Sequence, residues 1–437
     1  MKKFLTFISF LIISCELFSQ ETILTIQQAI ETALKNNYDI KIIANVSEQA
    51  KNNNTPGNAG MLPEIDANGS YTRSSNSLKQ KYNNGLEVDR DASVSTNAIA
   101  DLGANWTIFD GMKMFHTKNK LSELSMQSRD QLKIQIENSL QEVISSYYAI
   151  VRHQQLLKSM REELLFSDER VKITDRKRVN GSGSKLDWLQ AKTEFNRQRA
   201  IEISLDSEAA GAKINLNRLL GRNPETSFSI EDTVIITYKP VFEELKRTVN
   251  DQNNTLNYYR RNQRIALLTQ RENQALRWPE LNINAHYIYS KNTSEAGFTL
   301  FNQVQGFNYG VTATIPIFHG FNINRQIKNS KLDVLNADIN FESVSSSINS
   351  DLLNAWREFS NNLELLQIEE QNIGYAREVL SISQERYRVG LSNVLEQREA
   401  QRVFEEAMTR LADARYNAKI SETSLRRLNG ELVKLAN

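Results

Sequence analysis

The chain repeats one pattern of apolar residues at a fixed offset of 209 positions. In the first half, apolar residues recur at every seventh position: Val143, Ile150, Leu157, Leu164 and Val171. The positions 209 residues later are again apolar: Leu352, Phe359, Leu366, Ile373 and Leu380. A seven-residue apolar spacing is typical of a helix that buries one narrow stripe against a partner helix. The repeat therefore predicts two similar units built from long, packed helices.

The composition favours long, solvated helices over a compact globular core. Of the 437 residues, only 40% are hydrophobic and 6 are proline. The 53 basic and 52 acidic side chains nearly cancel, which gives a formal net charge of +1. A nucleic-acid-binding protein normally carries a concentrated basic face, so this balance argues against that class.

Residues 1–19 have the pattern of a secretory signal peptide. Lys2 and Lys3 precede an apolar run that is too short to span a bilayer as a helix. We expect cleavage after Ser19. The alternative is lipoprotein-type cleavage with acylation of Cys15, the only cysteine. Both interpretations indicate an exported protein, and no later segment has the pattern of a transmembrane helix, so any membrane crossing must use strands.

Two segments in each half alternate between apolar and polar residues. The predicted strands are residues 65–71, 100–108, 281–289 and 307–317, with polar loops at about 74–96 and 290–306. Such alternation predicts strands with one apolar and one polar face, about as long as a tilted strand needs to be to cross a bilayer. A soluble sheet packed on a helical layer would also alternate; the signal peptide favours the membrane.

Each predicted hairpin lies between helical segments. A helix precedes it (Ile23–Asn53 and Phe242–Arg277), and a long helix follows it, Lys113–Arg178 or Ile323–Val389, of about 100 Å at 1.5 Å per residue. Glycine-rich turns then lead into return helices at about Lys185–Leu220 and Asn393–Leu428, which Gly221 and Gly430 would terminate. The predicted organisation is a signal peptide at 1–19, a first repeat at 20–221, a linker at 222–240 and a second repeat at 241–437.

Four strands are too few to close a membrane barrel. Each unpaired backbone group in hydrocarbon costs several kcal/mol, and the smallest single-chain barrels have about eight strands. Strands that cross a membrane must therefore be shared between copies, and three copies would supply twelve. The polar faces of the strands would then line a water-filled conduit.

Three motifs resemble those of the TolC family of outer-membrane efflux channels. Two hairpins end in Trp106-Thr107-Ile108-Phe109-Asp110-Gly111 and Ile315-Pro316-Ile317-Phe318-His319-Gly320, with His319 in place of the usual acidic residue. The helix-tip motif is Arg386-Tyr387-Arg388-Val389-Gly390-Leu391-Ser392-Asn393-Val394-Leu395-Glu396. The resemblance implies a homotrimer, in which a twelve-stranded outer-membrane β-barrel continues as an α-helical barrel across the periplasm. It also implies docking to a periplasmic adaptor (membrane fusion) protein and an inner-membrane pump.

The resemblance also implies where the functional residues lie. In the family, acidic residues six and nine positions after the tip glycine narrow the closed channel; here these are Glu396 and Glu399 in the second repeat, and Asp187 in the first. Rings of such carboxylates favour cations. The expected adaptor-docking tips are Val179, Gly181, Gly183, Val389, Gly390, Leu391 and Ser392.

No residue pattern points to an enzyme, a cofactor or a metal site. His116, His153, His286 and His319 are scattered, without metal-ligand spacing to a carboxylate, and Met112 with Met114 fits an apolar interface. No phosphate-binding glycine loop is present, so energy must come from a partner. The leading hypothesis is a passive export duct for a drug pump, a metal exporter or a protein-secretion system. The alternative is a soluble periplasmic coiled-coil scaffold or adaptor protein.

Overall fold

The computed structural model describes residues 23–296 and 299–436. The predicted signal peptide and Cys15 lie outside the described residues. In chain order, the elements are β1 Ile23–Leu24, α1 Ile26–Asn36, α2 Tyr38–Asn52, β2 Glu64–Lys81, β3 Glu87–Phe109, α3 Lys113–Val179, α4 Lys185–Leu219, β4 Ser229–Ile230, α5 Phe242–Gln252, α6 Asn254–Ala275, β5 Glu280–Ser294, β6 Phe301–Thr314, α7 Asn322–Arg388 and α8 Val394–Leu428, followed by a short 3₁₀ helix, Leu432–Ala436.

The chain forms two compact units, and each contains residues from both halves of the sequence. The helical unit comprises residues up to 40, 136–242 and 352 onwards; the sheet unit comprises residues 41–135 and 243–351. Within the residues that the structure describes, no helix is long and apolar enough to cross a membrane.

The sheet unit contains four antiparallel strands in the order β2-β3-β5-β6. One row across the sheet pairs Ala67 with Leu102, Leu102 with Tyr287, and Tyr287 with Phe307. Directly opposed residues share a face of a sheet, so this row is apolar on all four strands. The neighbouring row, Asp66, Gly103, His286 and Asn308, lies on the other face. The predicted alternation is confirmed, and the sheet has one apolar and one polar face.

The strands are longer than the sequence predicts. They span 18, 23, 15 and 14 residues. The predicted loops at about 74–96 and 290–306 are wrong, because the strands continue through most of these residues. Polar side chains pair across the ladder there, as in the ion pair between Lys79 Nζ and Asp89 Oδ2 at 2.9 Å. Where both faces are polar, hydropathy does not alternate, so the pattern could not reveal these strand extensions.

The sheet has two open edges. Within the described residues, β2 pairs only with β3, and β6 pairs only with β5. Each outer strand therefore presents a row of backbone N–H and C=O groups that no strand of the same chain satisfies.

The helical unit contains the seven-residue stripe that the sequence predicts. Helices α3 and α7 are each 67 residues long, and α4 and α8 are each 35 residues long. Val143 and Ile150 on α3 are fully buried, and Leu352 and Phe359 on α7 are almost fully buried. The main cluster of this unit joins the α3 stripe to residues of α1 and α4, including Ala33 and Leu216.

Two asparagines divide helices that were expected to be continuous. The predicted helix Ile23–Asn53 begins instead with β1, which pairs in parallel with β4, and it breaks at Asn37. Asn37 Oδ1 accepts the backbone N–H of Ile40 at 3.1 Å, while its Nδ2 donates to Leu219 O at 2.8 Å. Asn253 breaks the predicted helix Phe242–Arg277 and caps α6 by accepting from Leu256 N at 3.0 Å. A single polar residue leaves the apolar pattern intact, which hid both breaks.

The helix after the first hairpin motif is capped by that motif. The Asp110 carboxylate accepts the backbone N–H of Met114 at 2.8 Å. Gly111 has φ +70°, and a Cβ there would lie 2.6 Å from Ala275 O. The Asp-Gly pair thus has a structural reason at this junction, and α7 begins at the matching position, Asn322, although His319 replaces the acid there.

The glycine after α4 ends that helix in close contact with the backbone of α1. Gly221 has φ +63°, and a Cβ there would lie 2.5 Å from Asn36 O. Gly390 has φ +82°, with no atom within 4 Å of an added Cβ.

We expect Gly221→Ala to lower the free energy of unfolding by more than Gly390→Ala does. Both variants incur the penalty of about 1 kcal/mol for a left-handed non-glycine residue. Only Gly221→Ala adds a clash with the backbone of Asn36. We therefore expect this variant to lose about 3 kcal/mol of its free energy of unfolding. Thermal unfolding followed by circular dichroism compares them, and equal melting temperatures would contradict the packing at Asn36.

Candidate functional site: the helix-hairpin tips

The two helical hairpins of the helical unit end in similar turns. Where α3 ends, Gly181 N donates to Arg178 O and Ser182 N donates to Lys177 O, at 3.2 and 2.9 Å. Where α7 ends, Gly390 N donates to Tyr387 O and Leu391 N donates to Arg386 O, at 3.2 and 2.8 Å. This pair of bonds defines the Schellman turn, in which a residue with positive φ satisfies the last helix carbonyls. Both glycines have positive φ, as the turn requires.

The return helices begin with matching caps. The Ser184 hydroxyl accepts the N–H of Asp187 at 3.1 Å, and Asn393 Oδ1 accepts the N–H of Glu396 at 2.9 Å. A side chain at this position replaces a missing helix hydrogen bond and fixes the direction of the next helix. Each tip is therefore a short, conformationally defined turn.

The tips present apolar side chains to solvent. Val179 is 67% exposed, and Leu391 is 73% exposed. Val389, Leu186 and Leu395 are also exposed, whereas Ser392 and Gly183 are half-buried. A Cβ at Gly183 would lie 2.8 Å from Lys177 Cβ, so this glycine allows close approach of the turn to α3. Clustered exposed apolar residues on a rigid turn are typical of a protein-binding surface.

A cavity of about 480 Å³ lies between the two tips. Its lining includes Gly183, Asp187 and Gln190 from the first hairpin, and Tyr387 and Arg398 from the second. Lys177 Nζ lies 5.1 Å from the centroid of the Tyr387 ring. Burial, together with the negative charge of Asp187, raises the pKa of Tyr387. The structure thus places Asp187 at the junction of the two hairpins.

The other two predicted gate residues lie apart from this cavity and pair with arginines. Glu396 Oε1 lies 3.3 Å from Arg386 Nε, and Glu399 Oε1 lies 2.5 Å from Arg402 Nη2. The hydrogen bond from Arg402 holds the pKa of Glu399 below its ordinary value. In a single chain, Glu399 is therefore an exposed, ionised carboxylate, and a crowd of like charges at this position would require other copies of the chain.

Sequence reasoning missed a buried polar cluster that joins the two hairpins. Glu163, Ser167, Arg170 and Thr174 recur along one face of α3, and each is at least 97% buried. Ser167 donates to Gln198 Oε1 on α4, and Arg170 Nη1 donates to Gln401 Oε1 on α8 at 3.3 Å. The three- and four-residue spacing of these polar residues, beside the apolar stripe, was the signal that could have revealed them.

Glu163 is the acid at the centre of this cluster. Burial raises its pKa above the ordinary value, and a hydrogen bond with the carboxyl group of Glu405 adds to the effect. Burial therefore favours the neutral form of Glu163 over its ionised form.

Comparison with known proteins assigns the family. The sequence profile of the outer membrane efflux protein family matches residues 29–222 and 247–431. The chain belongs to the outer membrane efflux protein family. Its place is therefore the outer membrane, with a part that extends into the periplasm.

Named relatives and solved structures agree with this assignment. The outer membrane protein TolC of Vibrio cholerae is 22% identical over 302 residues, which cover 66% of this chain and 67% of that protein. The crystal structure of the Vibrio cholerae outer membrane protein VceC superposes with a TM-score of 0.76 at 16% identity, covering 93% of this chain and 96% of VceC. The Campylobacter jejuni CmeC outer membrane channel gives a TM-score of 0.78 at 15% identity, with 93% and 85% covered. At these identities, the solved structures establish the fold.

We expect Glu163→Gln to change how stability depends on pH. An unfolded glutamate loses its proton near 4.5, whereas folded Glu163 keeps its proton to a higher pH. Between these two values the native state holds the extra proton, so the free energy of unfolding of the wild type falls as pH rises. Glu163→Gln has no carboxyl group at this position, so its free energy of unfolding lacks this pH dependence.

The measurement is the melting temperature of both proteins from pH 5 to pH 8. The melting temperature of Glu163→Gln should rise relative to the wild type across this range. Parallel curves would show that Glu163 is ionised in the folded protein. Glu162→Gln, an exposed neighbour on the same helix, is the control.

Proposed function

We propose that three copies of this chain form a passive export duct in the outer membrane. The duct docks onto a periplasmic adaptor protein and an inner-membrane pump, which supplies the energy. The observation that carries this proposal is the amphipathic four-stranded sheet with two open edges.

Closure of the sheet between copies satisfies its edges. Hydrocarbon offers no hydrogen-bond partners, so a β2 or β6 edge left unpaired there would cost several kcal/mol for each backbone group. If β6 of one copy pairs with β2 of the next, three copies give a closed barrel of twelve strands. The apolar row through Leu102 and Tyr287 then faces lipid, and the polar row through Asp66 and His286 faces a water-filled lumen.

The long helices have a second apolar stripe that supports association. On α7, Ile368, Tyr375 and Ile382 follow one another at seven-residue intervals and are exposed in the single chain. A stripe with this spacing fits the packing of a helix from another copy. The helices of three copies would thus continue the barrel as a helical conduit through the periplasm.

The tips are the proposed docking surface for the adaptor. Their turns have defined geometry, and Val179, Val389 and Leu391 offer apolar contact area there. The remaining members of the proposed surface are Gly181, Gly183, Gly390 and Ser392. A helical hairpin of an adaptor would bury these side chains at the end of the duct.

The gate is proposed to consist of Glu396 and Glu399 from each copy, with Asp187 at the junction of the hairpins. Three copies would bring several carboxylates together, which attracts cations. Arg386 and Arg402 partly neutralise these carboxylates within each chain. The balance between the acids and these two arginines would therefore set the ion preference of the duct.

A soluble periplasmic scaffold explains the observations less well. Such a protein has no need for a sheet whose apolar face includes Leu102, Tyr287 and Phe307, all of which are exposed. Family membership also favours a channel.

We expect Leu391→Asp to abolish export without lowering the amount of assembled protein. The substitution places a charge on the exposed apolar tip, outside the strands and the buried stripe. Leu391→Met, which keeps an apolar side chain, is the matched control and should export normally. Export of a fluorescent pump substrate from cells measures the effect, and normal export by Leu391→Asp would rule out this tip as the contact.

We expect Glu396→Gln with Glu399→Gln to lower the preference of the duct for cations. Arg402→Gln should shift the preference in the opposite direction, because it leaves the Glu399 carboxylate without its counter-charge. Reversal potentials in planar bilayers under a salt gradient give the preference. If neither change alters the reversal potential, the gate does not lie at these residues.

A further inference from the structure

A second cavity lies within the helical unit, between α3, α4 and α8. Its volume is about 520 Å³. Its apolar wall consists of Leu156 and Met160 from α3, Ile201 and Leu205 from α4, and Met408 from α8. Cavities of this size with mostly apolar walls and a few polar groups are typical small-molecule sites.

Most charges on the wall of this cavity are already neutralised by neighbours. Arg152 pairs with Asp413, and Arg410 Nε lies 3.1 Å from Glu369 Oε1. Glu406 pairs with Arg402 at 2.5 Å, and Glu405 Oε2 lies 3.2 Å from Arg197 Nη2. Arg197 also pairs with Glu194. Among the charged side chains on this wall, within the described part of the chain, Glu163 alone has no ion pair.

Glu163 is also incompletely hydrogen-bonded. It is 3% exposed, and its Oε2 is buried without a hydrogen-bond partner. A buried polar atom without a hydrogen-bond partner destabilises the folded protein. Oε2 has no hydrogen bond to give up, so a donor that reaches this atom replaces no existing bond to it. A ligand with a positively charged N–H donor would give Oε2 a hydrogen bond and would compensate the carboxylate charge that forms when Glu163 loses its proton.

We propose that this cavity binds an amphipathic organic amine. The protonated nitrogen donates to the Glu163 carboxylate, and the apolar body lies against Leu156, Ile201 and Met408. Binding releases the proton that Glu163 shares with Glu405, so one positive charge replaces another. The site goes beyond the proposed duct, because it requires neither adaptor nor pump.

The second repeat indicates that helix packing does not require an acid at the position of Glu163. The positions 209 residues after Glu163, Ser167 and Gln198 are Asn372, Ala376 and Ala407. Ala376 and Ala407 pack with Leu380, Ala400 and Phe404 in an apolar cluster. A pair of helices in this fold therefore packs without a buried acid at this level, and we expect one amine site per chain.

The test is a fluorescence titration of the purified full-length protein in detergent with dansylcadaverine, a primary amine with an apolar ring. The wild type should bind it saturably, and its N-acetylated, uncharged form should bind at least about tenfold more weakly, since a charge-assisted hydrogen bond is worth roughly that factor. Glu163→Gln should lose about the same factor, whereas Glu162→Gln should bind like the wild type.

Two further measurements separate this site from non-specific uptake. Affinity of the wild type should rise with pH, because the amine must displace a proton from Glu163, and Glu163→Gln should not respond. Ile201→Trp, which fills the cavity without changing charge, should also weaken binding. Equal binding by the wild type and Glu163→Gln, equal binding of the acetylated probe, or no saturable binding would each overturn the proposal. Because no step involves transport, a failure here leaves the proposed duct unaffected.

Discussion

The proposed assembly depends on one constraint: the backbone groups at the edges of a sheet that crosses a membrane must find hydrogen-bond partners. A single chain supplies four strands, with β2 and β6 at the edges. Water would satisfy these edges, but hydrocarbon cannot. The apolar row through Leu102, Tyr287 and Phe307 indicates hydrocarbon on one side of the sheet. The proposed association between copies rests on these two observations together, and it would give the exposed stripe on α7 a partner.

The sequence predicted the sheet faces and the long helices because each depends on a short period. Alternation by two marked the strand residues near Leu102, and spacing by seven marked the stripe from Val143 to Val171. The strand extensions near Lys79 were missed, since both faces there are polar and side-chain pairing across the ladder has no signature in one strand. The helix break at Asn37 was missed because its bond to Leu219 joins residues far apart in sequence.

The sequence predicted the tips but not the buried cluster, and the reason is again the distance over which the contacts act. The glycine-rich segments predicted both turns, since positive φ is a local requirement that glycine satisfies. The cluster around Glu163 depends on contacts among α3, α4 and α8, and only the spacing of its polar residues along α3 could have indicated it from the sequence. Two of its polar residues, Ser167 and Gln198, stand where the second repeat has Ala376 and Ala407, so the two helix pairs have different interiors.

The most direct measurement is disulfide cross-linking between the two open edges. One cysteine would be placed in β2 between Glu64 and Ser75, and a second in β6 between Phe301 and Thr314, in a variant without Cys15. If β6 of one copy pairs with β2 of the next, oxidation of the membrane-embedded protein should yield a ladder of products that ends at three chains. Products of one chain only, across the full scan of cysteine pairs, would contradict the account.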